Sequence, residues 1–410
     1  MPDRSPTRAH RHVSDLRGAT RLATDATLGL ADLVEAMHER IATLPGAAQD
    51  GRVGGILGIS GFVYKTVRGV TRLVGGSVDG LLGLLAPMLQ PAAGVAEAPP
   101  QPEREAVLAA LNGVLGDHLA ATHNPLATAM TLRHQGRPLT LQREALQAAL
   151  PDAGPRLLLL LHGLCMNDLQ WSRDGQGHGE LLAREAGYTP VYLRYNSGLP
   201  VHVNGAELAQ LMEQLLAAWP QALQRVVLLC HSMGGLLARS ALAQGAAAGQ
   251  SWPAQVSDLV FLGTPHHGAP LERAGHGLDL LLGATPYAAP LARLGRVRSA
   301  GITDLRHGSV LAPPAAMPAT GRPRLPVHVP LPAQLRCYAL AASLGDEPGS
   351  IRGRVLGDGL VPVASALGRH TQPDRTLVFD DERQRVLGGI NHMELLSRPV
   401  VAEQLLRWLA

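Results

Sequence analysis

Residues 226–236 read Val-Val-Leu-Leu-Cys-His-Ser-Met-Gly-Gly-Leu. An apolar strand runs directly into a serine, and a helix-forming stretch follows at 234–243, with Leu236, Leu237 and Leu242 available for a packed face. A serine hydroxyl attacks a carbonyl only if it projects above a sheet on a sharp strand-to-helix turn, where a histidine can reach it. Small residues two before and two after the serine let the strand and helix backbones pass closely. Gly234 meets that need on one side and Cys230 partly on the other, so the pattern is C-x-S-x-G where G-x-S-x-G is usual. A plain helix N-cap would also place a serine after a strand. The order strand, turn, helix favours a nucleophile at Ser232.

Other segments share this setting. Arg156 to Leu161 is a largely apolar run ending in His162-Gly163-Leu164, and Asp258 to Leu262 leads into Gly263-Thr264-Pro265-His266-His267-Gly268. Asp358-Gly359-Leu360-Val361-Pro362 sets an aspartate between glycines, and Asn391-His392 lies on a Gly-containing loop ahead of the C-terminal helix. Together with the turn at Ser232, these segments resemble the lipase-like branch of the α/β-hydrolase superfamily, close to bacterial triacylglycerol lipases and the GPI inositol-deacylase-like proteins. The likeness covers roughly residues 124–410.

The resemblance implies a catalytic order of serine, acid, histidine along the chain, each on a loop after a strand. His392 is then the base, since no other histidine lies beyond the last strand predicted, Thr376 to Phe379. Asp358 is the acid after a strand at about Leu335 to Ala342, with Asp346 and Glu347 as alternatives nearer the strand end. The backbone N–H groups of Leu164 and Met233 would form the oxyanion site. His162, His266 and His267, with Leu280 and Leu281, would line the substrate pocket. The implied activity is hydrolysis of a lipid-like or otherwise hydrophobic ester through an acyl-enzyme, without a cofactor. The same triad serves amidases, thioesterases and acyltransferases. A rival of another class is a membrane-docking interaction protein that uses the fold as a scaffold.

Composition narrows the field. The chain has 410 residues, 46% of them hydrophobic, which is ample for a large core with something appended. Lys65 is its sole lysine, so the basic residues are nearly all arginine, and they are interspersed with acids to a net charge of +3. That pattern reflects base composition and argues against a nucleic-acid partner. Cys165, Cys230 and Cys337 are too few and too scattered for a disulfide framework, which favours a reducing compartment. No apolar h-region follows the basic start, so a cytoplasmic location is expected. Zinc-type spacing and H-E-x-x-H are both lacking, so no metal is predicted. Nothing in the sequence specifies an oligomeric state.

The N-terminal region, 1–104, reads as helical with a linker. A helix over 19–43 precedes a breaker, and over 62–89 the set Val63, Val67, Val70, Val74, Val78, Leu81, Leu85 and Met88 marks one face of an amphipathic helix. Lys65, Arg68, Arg72 and Asp79 interrupt it, so it is no membrane span. A helical hairpin packed on the catalytic domain is one reading, and peripheral membrane contact is the other. Pro91 to Glu103 reads as the linker.

The rest, 105–410, predicts a helix at Glu105 to His118 and a hairpin at Met130 to Leu141. Strands are predicted at Arg156 to Leu161, Pro190 to Tyr195, Arg225 to Leu229, Asp258 to Leu262, Leu335 to Ala342 and Thr376 to Phe379, with helices such as Ala206 to Trp219 between them. This is an α/β fold with a doubly wound, mostly parallel sheet. A cap or lid insertion is expected at about 264–333, with an apolar helix around Leu278, Leu280, Leu281 and Leu282 admitting acyl chains. Its later part, Pro313 to Pro332, holds seven prolines and excludes regular structure.

Overall fold

The computed structural model describes residues 18, 20–21, 102–173, 176–269, 299–313, 326–345 and 357–410. Two compact units divide the chain, Met1–Pro99 with Leu119–Ala127, and Pro100–His118 with Thr128–Ala410. In the first, Asn124 donates to the Gly18 carbonyl at 3.0 Å and accepts from the Leu126 N–H at 2.9 Å. The second unit holds the sheet.

Its elements in chain order are α1 (Pro102–Ala121), β1 (Thr131–His134), β2 (Arg137–Pro138), α2 (Arg143–Ala149), β3 (Arg156–Leu161), β4 (Ser172–Arg173), β5 (Gln176–Gly177) and α3 (His178–Ala186). Then follow β6 (Thr189–Arg194), α4 (Val201–Ala218), β7 (Arg225–His231), α5 (Met233–Ala247), β8 (Asp258–Leu262), α6 (Ala300–His307), β9 (Arg336–Ser343), α7 (Val363–Ala366), β10 (Gln384–Gly388) and α8 (Pro399–Leu409). An eight-stranded sheet runs β10-β9-β8-β7-β3-β6-β1-β2. From β6 to β10 every neighbouring pair is parallel, while β1 is antiparallel to β6 and β2 to β1. Gln135 and Gly136, at φ 48° and 73°, join β1 to β2 in the two-residue turn whose twist suits a hairpin.

The apolar run in β3 is continuous because both sheet faces are covered. Leu158, Leu160, Val227, Leu229, Val260, Leu262 and Leu340 form one core with Leu182 of α3 and with Val401, Leu405 and Leu409 of α8. Those three α8 residues recur every four positions, and Pro399 opens the helix where its missing N–H costs nothing. The alternate strand residues face α4 and α5, which cross where a Cβ on Gly205 would fall 2.2 Å from Ser240 Oγ.

Among the described residues, the helices and strands expected from sequence form, with one correction. Residues 376–379 are not a strand. Leu377 and Phe379 alternate into the core, at 3% and 7% exposure, but Val378 is 82% exposed and the segment pairs with no strand. The last strand is β10, parallel to β9. As an edge strand with Leu387 alone buried, its Gln-Arg-Val-Leu-Gly sequence carries no apolar run to betray it. Helix α4 starts five residues earlier than expected, directly after Pro200. The residues 326–335 before β9 contain no helix or strand, as their prolines require. Apart from residues 20–21, the helices over 19–43 and 62–89, the lid leucines 278–282 and the alternative acids Asp346 and Glu347 lie outside the described residues.

Adjacent strands are tied at one end by charge. Asp258, fully buried at the start of β8, accepts from Arg225 Nε of β7 at 2.9 Å, from Arg336 Nη2 of β9 at 2.8 Å and from the Tyr338 hydroxyl at 3.2 Å. Burial alone would raise its carboxyl, but the hydrogen bonds from Arg225, Arg336 and Ser257 hold it below the ordinary range. Asp258→Ala would strand two arginines at the sheet end and is expected to cost about 3 kcal/mol in urea unfolding. A cost within error of zero would show that the cluster contributes nothing.

Candidate active site

Strand β7 ends at His231, and Ser232 turns the chain into α5 with φ 54° and ψ −122°. Ser232 stands at the N-cap position of α5, yet its hydroxyl makes no cap hydrogen bond. The turn is closed by the Ser232 N–H donating to the Leu262 carbonyl at 2.9 Å. It also requires close passage of α5 past β3. A Cβ on Gly234 would lie 2.3 Å from the Leu161 carbonyl oxygen, and one on Gly235 would lie 2.1 Å from Thr264 Oγ1. Cys230 is accommodated inside β7, fully buried, and burial drives its thiol well above the ordinary range. The departure from glycine at that position therefore leaves the turn intact.

Asp358 sits in a turn between Gly357 (φ 55°) and Gly359 (φ 92°). Its Oδ1 accepts from the Leu360 and Val361 N–H groups at 3.0 and 2.8 Å, leaving Oδ2 to meet His392 Nδ1 at 2.7 Å. The His392 N–H also donates to the Asp358 carbonyl at 3.0 Å, so the two loops are joined twice. Around the histidine, Asn391 Oδ1 accepts from the Met393 and Glu394 N–H groups, and Glu394 Oε2 accepts from the Asn391 N–H at 2.8 Å. This reciprocal box pins the loop that carries the imidazole.

His231 adds a further hold, donating from Nε2 to the His392 carbonyl at 3.1 Å with ring centroids 4.7 Å apart. Space for the dyad comes from Gly263, at φ 59°, where a Cβ would lie 3.2 Å from both Asp358 Oδ2 and His392 Cε1 and 2.7 Å from Leu395. Since Gly263 directly follows the residue that binds the Ser232 N–H, serine and dyad converge on one strand end. Ser232 Oγ and His392 Nε2 are both buried and have no hydrogen-bond partner among the described residues.

The loop after β3 lies against the serine, for a Cβ on Gly163 would stand 3.0 Å from Ser232 Cβ. Cys165 holds φ 60° there and donates its N–H to Ser197 Oγ at 3.0 Å. Helix α1 backs the same loop so closely that a Cβ on Gly113 would meet Cys165 Sγ at 2.3 Å. Met233 opens α5, where the first N–H groups have no intrahelical acceptor. The N–H groups of Leu164 and Met233 have no partner among the described residues.

His162 is fully buried. Its ring stacks on Tyr195 at 4.3 Å, and Nδ1 donates to the Gly163 carbonyl at 2.8 Å. Burial lowers its pKa to about 3.

The two other histidines lie on the loop after β8. His266 packs edge-on against Phe261 at 4.5 Å, and His267 donates to the Gly368 carbonyl at 2.8 Å. Burial lowers the His267 pKa to about 4. Leu280 and Leu281 lie outside the described residues. The sequence reading missed His231, which no motif marks, and the box formed by Asn391 and Glu394, which the N-x-x-E spacing does signal. Among the described residues, no three His, Cys, Asp or Glu side chains could hold a metal ion, and no helix is long and apolar enough to cross a membrane.

Parallel sheet, antiparallel entry hairpin, elbow serine and an Asp–His pair on loops after later strands define the α/β-hydrolase fold. Residues 206–314, less than half of the chain, match the PGAP1-like alpha/beta domain family. The sheet order, the elbow serine and this match agree with the resemblance to the α/β-hydrolase superfamily. No curated protein matches the chain in sequence.

Solved structures similar to it include a thioesterase from the prodiginine biosynthetic pathway in Streptomyces coelicolor, 18% identical, covering 63% of this chain and 86% of that one, with a TM-score of 0.36. An esterase of Pyrococcus furiosus is 14% identical over 63% of this chain and 83% of its own, with a TM-score of 0.35. An esterase of Pyrobaculum calidifontis is 13% identical over 62% and 77%, with a TM-score of 0.33. The fold assignment rests on the sheet order and the elbow.

The buried histidines give stability a pH dependence. A folded-state pKa depressed to about 3 for His162 and about 4 for His267 means that the unfolded chain binds protons first as pH falls. Their contribution is complete above about pH 6.5 and is lost as pH drops toward 3 to 4. His162→Gln should reduce the slope of stability against pH between 6 and 4 by about one proton, roughly 1.4 kcal/mol per pH unit. An unchanged slope in urea titrations at stepped pH would sink this account.

Proposed function

We propose that the chain is a serine hydrolase of carboxylic esters with lipid-like or otherwise hydrophobic acyl groups. The observation that carries this is the pairing of a strained elbow serine with an Asp358–His392 dyad, whose Nε2, like the Ser232 Oγ, is buried without a hydrogen-bond partner among the described residues. Buried polar atoms without partners are costly, and they persist where a substrate supplies what is missing.

Ser232 Oγ attacks the ester carbonyl while His392 Nε2 takes its proton. The Leu164 and Met233 N–H groups receive the developing oxyanion, each such donor being worth about 3 kcal/mol or more in acyl transfer. The imidazolium then gives its proton to the departing alcohol. Water repeats the sequence on the acyl-enzyme and frees the acid. Asp358 holds Nδ1–H and stabilises the imidazolium. Ser232 and His392 are each fully buried, so a substrate carbonyl reaches Oγ only as the covering groups move aside.

A fluorophosphonate probe should label the wild type and leave Ser232→Ala unlabelled. Turnover of p-nitrophenyl esters should rise from acetate toward longer chains, and Asp358→Asn should lower kcat by about 10³- to 10⁴-fold with little change in KM. Matched thioester and amide substrates separate this reading from a thioesterase or amidase. Failure of the folded wild type to react with the probe at any concentration would overturn a serine mechanism.

A further inference from the structure

Beyond the Ser232 centre, a second set of buried polar atoms has no task in ester hydrolysis. Arg239 lies on α5 two helical turns past Ser232 and is 4% exposed, yet no carboxylate of the described residues pairs with it. Its Nη2 donates to the Val329 carbonyl at 2.5 Å and its Nη1 to His266 Nδ1 at 3.4 Å, while Nε has no partner. Because Nδ1 accepts from a guanidinium, the His266 proton resides on Nε2. His266 is 2% exposed, and this second N–H is also without a partner. An unpartnered Nε–H on a cation that no carboxylate balances suits a ligand that accepts hydrogen bonds and carries negative charge.

The surroundings reinforce the sign. Arg375 donates to the Pro326 carbonyl at 2.6 Å and also leaves a buried Nε unpartnered, so arginines grip both ends of the extended segment 326–329. His328, within that segment, is pushed down first by burial and then by the charges of Arg239 and Arg375, with Asp374 the one acid that faces it. His267 feels the same two arginines and His370. Beside the guanidinium is a cavity of about 100 Å³, lined by Arg239, Leu242, Ala243, Val329, Pro332 and Gln334 among others. Arg239 is its one charged lining residue among the described residues. That volume is a few times a water's share of the liquid.

We propose that the Arg239 cavity is a binding site for a small oxyanion, a phosphate group either free or carried on a ligand, held by the guanidinium.

The test is thermal unfolding of the full chain titrated with inorganic phosphate against sodium chloride at equal ionic strength, with glycerol phosphate in a parallel arm. Saturating phosphate should raise the wild-type Tm by about 2 °C, as expected for ligand well above its Kd. Arg239→Gln should abolish the shift. Ala243→Leu, which fills the cavity from its rim and keeps Arg239, should weaken phosphate tenfold or more with ester turnover unchanged, and it decides the matter if Arg239→Gln does not fold. Saturation by free phosphate alone marks an inorganic-ion site, and tighter saturation by glycerol phosphate marks a headgroup site. No wild-type shift, or an equal shift in Ala243→Leu, overturns the proposal and leaves Arg239 as a clamp on segment 326–329.

Discussion

Ser232 is held at φ 54° and ψ −122°, a conformation that costs a non-glycine residue about 1–3 kcal/mol, and its surroundings over-determine it. The serine N–H is anchored on β8 through Leu262. Just beyond it, Gly234 and Gly235 bring α5 within touching distance of the β3 end and of Thr264. The helix can leave the sheet at that angle only because those positions lack a Cβ. Everything that defines the site is measured from this turn, since the loops after β3 and β8 are packed against it and the Asp358–His392 pair sits over Gly263.

The remaining parts are fixed by short-range backbone chemistry. Asp358 commits one carboxylate oxygen to two backbone N–H groups, which orients the other toward the imidazole. His392 is carried by a loop closed through Asn391 and Glu394 and held from the strand side by His231. These are mostly neutral or backbone contacts in a dry setting, so they keep their strength and do not depend on salt. The cost is a group of buried polar atoms with open valences, at Ser232 and His392 and again at Arg239 and His266. The sheet supports this as a rigid frame, with the Asp258 cluster binding β7, β8 and β9 together.

Burial decided which strands could be read in advance. β3, β7 and β8 lie inside the sheet with helices over both faces, and their unbroken apolar runs identify them from sequence alone. β10 is an edge strand with one covered side, and it reads as polar. Residues 376–379 show the converse: they alternate like a strand because two side chains enter the core, but no neighbour pairs with them. Periodicity reports burial, and hydrogen-bond pairing leaves no comparable mark on the residues.

By itself, the sequence determined the strand-turn-helix at Ser232, the α/β alternation and the candidate acid and base on their loops, because each depends on local residue types and on glycines where no side chain fits. Only the tertiary structure decided that β10 completes the sheet, that His231 steadies His392, that α1 buttresses the loop at Cys165 and that Arg239 is buried beside His266 with no acid to balance it. Those contacts join residues tens to hundreds of positions apart. Their geometry arises from the packing of whole elements, and no local pattern of residues encodes it.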